Sequence, residues 1–224
     1  GTLSVLDAAI GSGLRSFVFA SSAAVYGGGR MTAVSEGASV DPISPYGDSK
    51  AVSERHVVQT AEEAGMGACV LRLFNVAGTW NGAYDGPENG HVLPALADAV
   101  RYGRPFMMNG SDWPTRDGSC IRDYVHVRDV ARAFVLAVEE TARGSSLGPV
   151  NIGSGIGTSV LELVDAAERI SERRIEVSVG ERRRGDPARI VASVSKAERV
   201  LGWRPEHSVL EEIMRSVLLA PSLS

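Results

Sequence analysis

Two short apolar runs constrain the fold more than anything else in this chain. SFVFAS (16–21) and ACVLRLFNVAG (68–78) are apolar at consecutive positions rather than alternate ones. Consecutive apolar residues imply burial on both faces, the condition of a parallel strand covered by helices. Each run ends in small or polar residues: Ser21 and Ser22 in the first, Asn75 in the second. Ligands of open parallel sheets bind at such carboxyl ends. Before the first run, Leu3, Leu6, Ala9 and Ile10 recur at helical spacing, with Gly13 as the stop. A second helix is predicted over 48–64. Helix, strand, helix, strand within 78 residues predicts a doubly wound α/β fold.

The remainder is less uniform. Residues 79–122 are rich in Gly, Pro, Asn, Asp and Trp around one helical stretch, VLPALADAVRYG, and a connection this long implies a functional segment. A helix over 128–140, a strand at PVNIGSG and three capping boxes follow: Ser159 with Glu162, Ser195 with Glu198, and Ser208 with Glu211. Gly202 suits the stop of the middle helix. A net charge of −4 gives no reason to expect nucleic acid or a membrane surface as partner. Cys69 and Cys120 are too few for a disulfide framework, and no Cys/His spacing suits a metal. A cytoplasmic location is the expectation. The chain opens on Gly1 and runs straight into a helix and a strand, so an N-terminal part of the fold is expected to be missing.

Chemistry concentrates at SPYGDSKAVSER (44–55). Only two lysines stand among 23 Lys and Arg residues, and Lys50 is placed four residues after Tyr46. On a helix these two share a face. An ammonium about 5 Å away favours an ionised phenol by roughly 3 kcal/mol at an effective dielectric of about 20, so the pair suits proton transfer. The plainer reading is a solvated helix face. Ser21 and Ser22 stand at a strand end, where a serine either caps a turn or hydrogen-bonds the same ligand as Tyr46. The glycine runs are weaker signals. GSG (11–13) precedes a strand, and GGG (27–29) reads as a flexible turn. NIGSGIGTSV (151–160) follows a strand, but about seventy residues remain, too few for a nucleotide-binding half. Arg122 in the long segment and the arginines of ERRRGD (181–186) suit phosphate oxygens or a solvated edge.

Ser-Ser at a strand end, Tyr-x-x-x-Lys, LRLFNVAG, GSDWPTRDGSCIRDYVHVRD, NIGSGIGTSVLELV and RRRGDPARIVASVSKAERVLGW occur in that order. Together they resemble the UDP-glucose 4-epimerase family of extended short-chain dehydrogenases/reductases, over essentially all 224 residues. The resemblance implies an NAD cofactor, a UDP-sugar substrate and a homodimer. It implies that Tyr46 takes the proton of the sugar 4-hydroxyl, that Lys50 holds the nicotinamide ribose, that Ser22 bonds the reacting oxygen and that Phe74 lies near the nicotinamide. For the UDP-sugar it implies Asn75, His91 and Val92, the segment Phe106, Met107, Met108 and Asn109 flanking uracil, and Arg122, Arg183 and Asp186 at the diphosphate and ribose. Dehydratase relatives carry an Asp-Glu pair where Ala23 and Ala24 stand here, so elimination lacks its acid. Ile190 occupies a position that sets pocket size in the family. The glycine-rich strand-turn that grips NAD pyrophosphate in the family is absent from this sequence. The expected architecture is the second half of a Rossmann-type parallel sheet in 1–78. A small substrate-binding domain is expected over most of 79–224, with 123–140 returning to the sheet. Without the pyrophosphate loop the 224 residues are expected to be inactive alone. The alternatives are an epimerase of another nucleotide sugar, such as UDP-N-acetylglucosamine, and a non-catalytic UDP-sugar-binding remnant.

Overall fold

The computed structural model describes residues 1–28, 32–80, 91–183 and 185–220. Gly29 of the glycine run and Arg184 of ERRRGD lie outside these residues.

The first layer is a three-stranded parallel sheet. Its strands are β1 (Ser16–Ser22), β2 (Gly67–Leu73) and β6 (Gly148–Ile152), in the order β1-β2-β6. In the central strand β2, alternate side chains go to opposite faces. Ala68 and Val70 pack with Leu6 of helix α1 (Thr2–Gly11) and with Val57 and Ala61 of α2 (Pro45–Glu63). Cys69 and Leu71 pack with Val130, Ala133 and Ala137 of α4 (Val127–Ala142) and with Ala197 and Leu201 of α6 (Ser195–Leu201). Covered faces on both sides explain why the strand reads as an unbroken apolar run.

The second layer holds β3 (Asn75–Ala77), β5 (Ile121–His126) and β7 (Gly157–Ser159), with β9 (Arg189–Ile190) also paired to β5. A separate parallel pair joins β4 (Phe106–Asn109) to β8 (Val177–Gly180). Helices α3 (Val92–Tyr102), α5 (Val160–Ser171) and α7 (Leu210–Leu218) close one core around Leu96, Leu163 and Met214.

Four sequence expectations are corrected. The run 68–78 is two strands, because the chain leaves the first sheet at Phe74 and β3 pairs with β5 instead. The α2 helix begins at Pro45, three residues before the expected start. Proline is preorganised for the first turn, and the Ser44 hydroxyl accepts the Gly47 N–H at 3.1 Å. Of the three capping boxes only Ser159 with Glu162 forms. Ser195 is itself the first residue of α6, and Ser208 donates to the buried Asp129 carboxylate at 2.6 Å. Finally, the return to the first sheet extends past 123–140, since β6 lies in that sheet too.

Between β1, β2 and α2 lies a buried polar network. Arg72 Nη2 meets Glu54 Oε2 at 2.6 Å, with both side chains about 95% buried. Arg72 Nε also donates to the Glu54 carboxylate, and Nη1 donates to the Tyr26 hydroxyl at 3.0 Å. Tyr26 donates in turn to Asn151 Oδ1 at 2.6 Å, and Ser21 donates to Glu54 Oε1 at 2.5 Å. An ion pair this dry is costly to break from one side, because the remaining charge stays buried. Arg72→Met is expected to lower unfolding stability by about 3–5 kcal/mol. Adding Glu54→Leu should restore much of the loss; urea denaturation of the single and double variants measures both.

Candidate active site

At the carboxyl ends of β1 and β2 the two layers enclose a cavity of about 1230 Å³. Strand alternation decides which of the paired serines reaches it. Ser22 lies on the cavity wall, while Ser21 is turned to Glu54. Ser22 also caps a short 3-10 turn (Ala23–Tyr26), accepting the Ala24 N–H at 3.2 Å. The capping role and the cavity position therefore coexist in one side chain.

Tyr46 enters from the first turn of α2. It is 56% exposed although it lines the cavity, which leaves its phenol open to a ligand. What places it there is Gly47. A Cβ at Gly47 would come within 2.5 Å of the Ala24 carbonyl oxygen, so the helix start rests directly on the turn after Ser22. Gly27 makes a similar contact. It has φ +67°, and a side chain there would collide with the Asp41 carbonyl. The expectation of a flexible turn at 27 is thus corrected: the residue is pressed against 41–43.

Lys50 lies one turn along, behind the tyrosine rather than on the cavity wall. Its Nζ donates to the Ala20 carbonyl at 2.8 Å and sits 5.8 Å from the Tyr46 ring centroid and 5.0 Å from that of Phe19. The ammonium therefore joins α2 to the end of β1 while standing beside the phenol.

The other walls come from the second layer. Phe74, 5% exposed, and Asn75 mark the crossing between sheets. His91 and Val92 open α3 on the same cavity. Phe106, Met107, Met108 and Asn109 all line it, although Phe106 and Met108 are largely buried in the second core. Arg122, Arg183 and Asp186 complete the wall. Arg122 Nη2 is 3.5 Å from Asp186 Oδ2, and its Nη1 donates to the Pro187 carbonyl at 2.7 Å. Thus every residue that the family resemblance assigns to the cofactor or the substrate, except Lys50, lies on one cavity wall.

The neighbouring Asp123 takes the opposite face of β5 and is fully buried. It accepts N–H bonds from Gly155 and Ala192, each at 3.0 Å, and from Ser154 at 2.5 Å. Burial pushes its carboxyl above the ordinary range, against the pull of these donors. The glycine-bearing NIGSG loop is therefore bound to Asp123, which occupies the Ser154 and Gly155 N–H groups that a phosphate cradle would use. Several wall residues escaped the sequence reading, Tyr124 and Ile43 among them. Tyr124 shares a strand face with Arg122, so alternation from Arg122 was a usable signal. Ile43 gave none, since it lies in a loop that is brought to the cavity by packing against residues distant in the chain. Among the described residues no cluster suited to a metal is found, and no helix is long and apolar enough to cross a membrane.

Gly47→Ala is expected to destabilise the fold by about 1–3 kcal/mol through overpacking, although alanine favours a helix interior. Thermal or urea unfolding reads the sign directly.

Residues 1–153 match the model of the NAD dependent epimerase/dehydratase family. The chain is similar to UDP-glucose 4-epimerase of Rhizobium meliloti (strain 1021). The two are 39% identical over 214 residues, which is 93% of this chain and 65% of the relative. It is 41% identical to the Rhizobium leguminosarum bv. trifolii UDP-glucose 4-epimerase over 221 residues, covering 96% of this chain and 67% of that one. Among solved structures, Brucella ovis UDP-glucose 4-epimerase in complex with NAD superposes with a TM-score of 0.89 at 35% identity. That match covers 97% of this chain and 68% of the other. The chain thus spans about two thirds of the length of the curated relatives it matches.

Proposed function

The chain belongs to the NAD dependent epimerase/dehydratase family, and from that premise we propose that the protein interconverts UDP-glucose and UDP-galactose. The observation that carries this reading is the convergence of Ser22 and Tyr46 with Arg122, Arg183 and Asp186 on one cavity.

The residues present suit the nicotinamide end of NAD. Phe74 offers a buried aromatic wall, and Tyr46 and Lys50 offer a hydroxyl and an ammonium for the adjoining ribose. When bound, NAD supplies the hydride acceptor and donor at the sugar C4. Tyr46 accepts the proton of the 4-hydroxyl and later returns it, and Ser22 holds the same oxygen in line. Lys50, fastened to Ala20, places its ammonium beside the phenol. The 4-keto sugar would turn over in the cavity between its oxidation and its reduction. The nucleotide stays fixed meanwhile, because Arg122 and Arg183 fork the diphosphate and Asp186 accepts from the ribose. Asn75, His91 and Val92 border the sugar, and residues 106–109 flank the uracil. The cavity is ample for such a rotation.

The same reading includes a homodimer and a cytoplasmic location. It also holds that residues 1–224 alone bind UDP without turning over UDP-galactose. The support is that the described residues contain no glycine-rich strand-turn-helix to grip a dinucleotide pyrophosphate, the 151–160 loop being bound to Asp123.

Calorimetry with UDP and a coupled assay for UDP-galactose test the two halves of that statement. Saturable UDP binding with no turnover is the expected pair of results. Sustained turnover by these residues alone contradicts the second half, and failure to bind UDP contradicts the functional reading. In protein that does turn over UDP-galactose, Tyr46→Phe should lower kcat at least about 100-fold with UDP affinity unchanged. Assaying UDP-N-acetylglucosamine alongside UDP-glucose decides between the proposed substrate and the N-acetylated alternative.

A further inference from the structure

The Asp112-Trp113 pair stands in the most distinctive segment of the sequence, yet the site described above does not use it. Trp113 is only 8% exposed. Its indole Nε1 donates to the Asn109 carbonyl at 3.1 Å, and its backbone N–H donates to Gly118 at 2.9 Å. One face of the ring is covered by Arg182, whose guanidinium carbon lies 4.4 Å from the ring centroid. Arg182 Nε also donates to Asp112 Oδ1 at 2.7 Å, and Nη2 donates to the Asp112 carbonyl.

This clasp ties together two segments that face the cavity. On one side, β4 ends at Asn109, paired with Gly180 of β8. On the other, Arg182 and Arg183 follow β8, and the Asp186 N–H donates to the Arg183 carbonyl at 3.2 Å. Gly110 permits the approach. It has φ +82°, and a Cβ there would lie 2.6 Å from Arg182 Cγ and 2.8 Å from Trp113 Nε1. Arg183, the next residue, is on the cavity wall. A long arginine on a mobile turn would pay rotamer and backbone entropy each time it met an anion. A stacked and forked neighbour removes part of that cost beforehand.

We infer that Arg182, held by Trp113 and Asp112, is a positioning residue that fixes the backbone leading into Arg183 so that Arg183 meets the diphosphate of the nucleotide sugar. This rests on the UDP-sugar reading above. Arg182 acts through Arg183, so the two substitutions must be non-additive.

The test is a double-substitution cycle read by calorimetry on this chain, with UDP and uridine as probes. Arg182→Gln should weaken UDP binding about tenfold and leave uridine within about twofold. Arg182→Lys keeps the charge but loses the fork and the stack, so it should show the same loss. In the Arg183→Gln background, Arg182→Gln should change UDP affinity by less than about twofold. Additive losses, recovery of native affinity in Arg182→Lys, or parallel losses for UDP and uridine would each overturn the inference. Absence of UDP binding by the unsubstituted chain would overturn the functional reading and this inference with it. That outcome is distinct, because it appears before any substitution is made.

Discussion

The buried ion pair between Arg72 and Glu54 is the constraint on which the site depends. Apolar contacts of Val57 and Ala61 hold α2 to the sheet, but such contacts are non-directional and tolerate sliding. A guanidinium that meets a carboxylate through three N–H···O contacts does not. Its value lies in direction more than in net energy, since burying two charges consumes much of what their attraction returns. Ser21 and Tyr26 extend the pair to β1 and, through Asn151, to β6. Helix α2 is thereby registered against all three strands of the first sheet.

From that anchor, position is carried to Tyr46 along the helix. Glu54 is eight residues from Tyr46, about 12 Å at the helical rise. Lys50 fastens the helix again at Ala20, midway between them. Gly47 sets the final approach, because only a residue without Cβ can rest on the Ala24 carbonyl. Three contacts of different kinds (an ion pair, an ammonium on a carbonyl and a glycine on a carbonyl) thus bring a phenol and a serine hydroxyl to the same cavity. The second layer is joined to the first at Phe74, where the chain changes sheets. That crossing helps bring Arg122 of β5 and Arg183 opposite the proton-transferring groups.

Much of the fold was legible in local pattern. Burial on both faces made β1 and β2 visible as apolar runs, and helical spacing made α1, α3 and α4 visible. The failures share one cause. Ser195 and Ser208 have the spacing of caps, but Ser208 is taken by Asp129, a partner 79 residues away. The 68–78 run has no local mark of a strand break, because the break is imposed by the pairing of Asn75 with Tyr124. NIGSG has the composition of a phosphate loop, yet its Ser154 N–H and the N–H of Gly155 are taken by the side chain of Asp123.

The sequence by itself determined the alternation of helix and buried strand and the pairing of Tyr46 with Lys50 on one helix. These follow from period, spacing and motif, which are properties of neighbouring residues. Only the tertiary structure decided that Ser22 rather than Ser21 faces the cavity and that Lys50 stands behind Tyr46 on a backbone carbonyl. It alone decided that Arg122 meets Asp186 and that Arg182 clasps Trp113. Each of those outcomes turns on hydrogen bonds or packing between residues far apart in the chain, whose strength depends on distance and burial that no local pattern specifies.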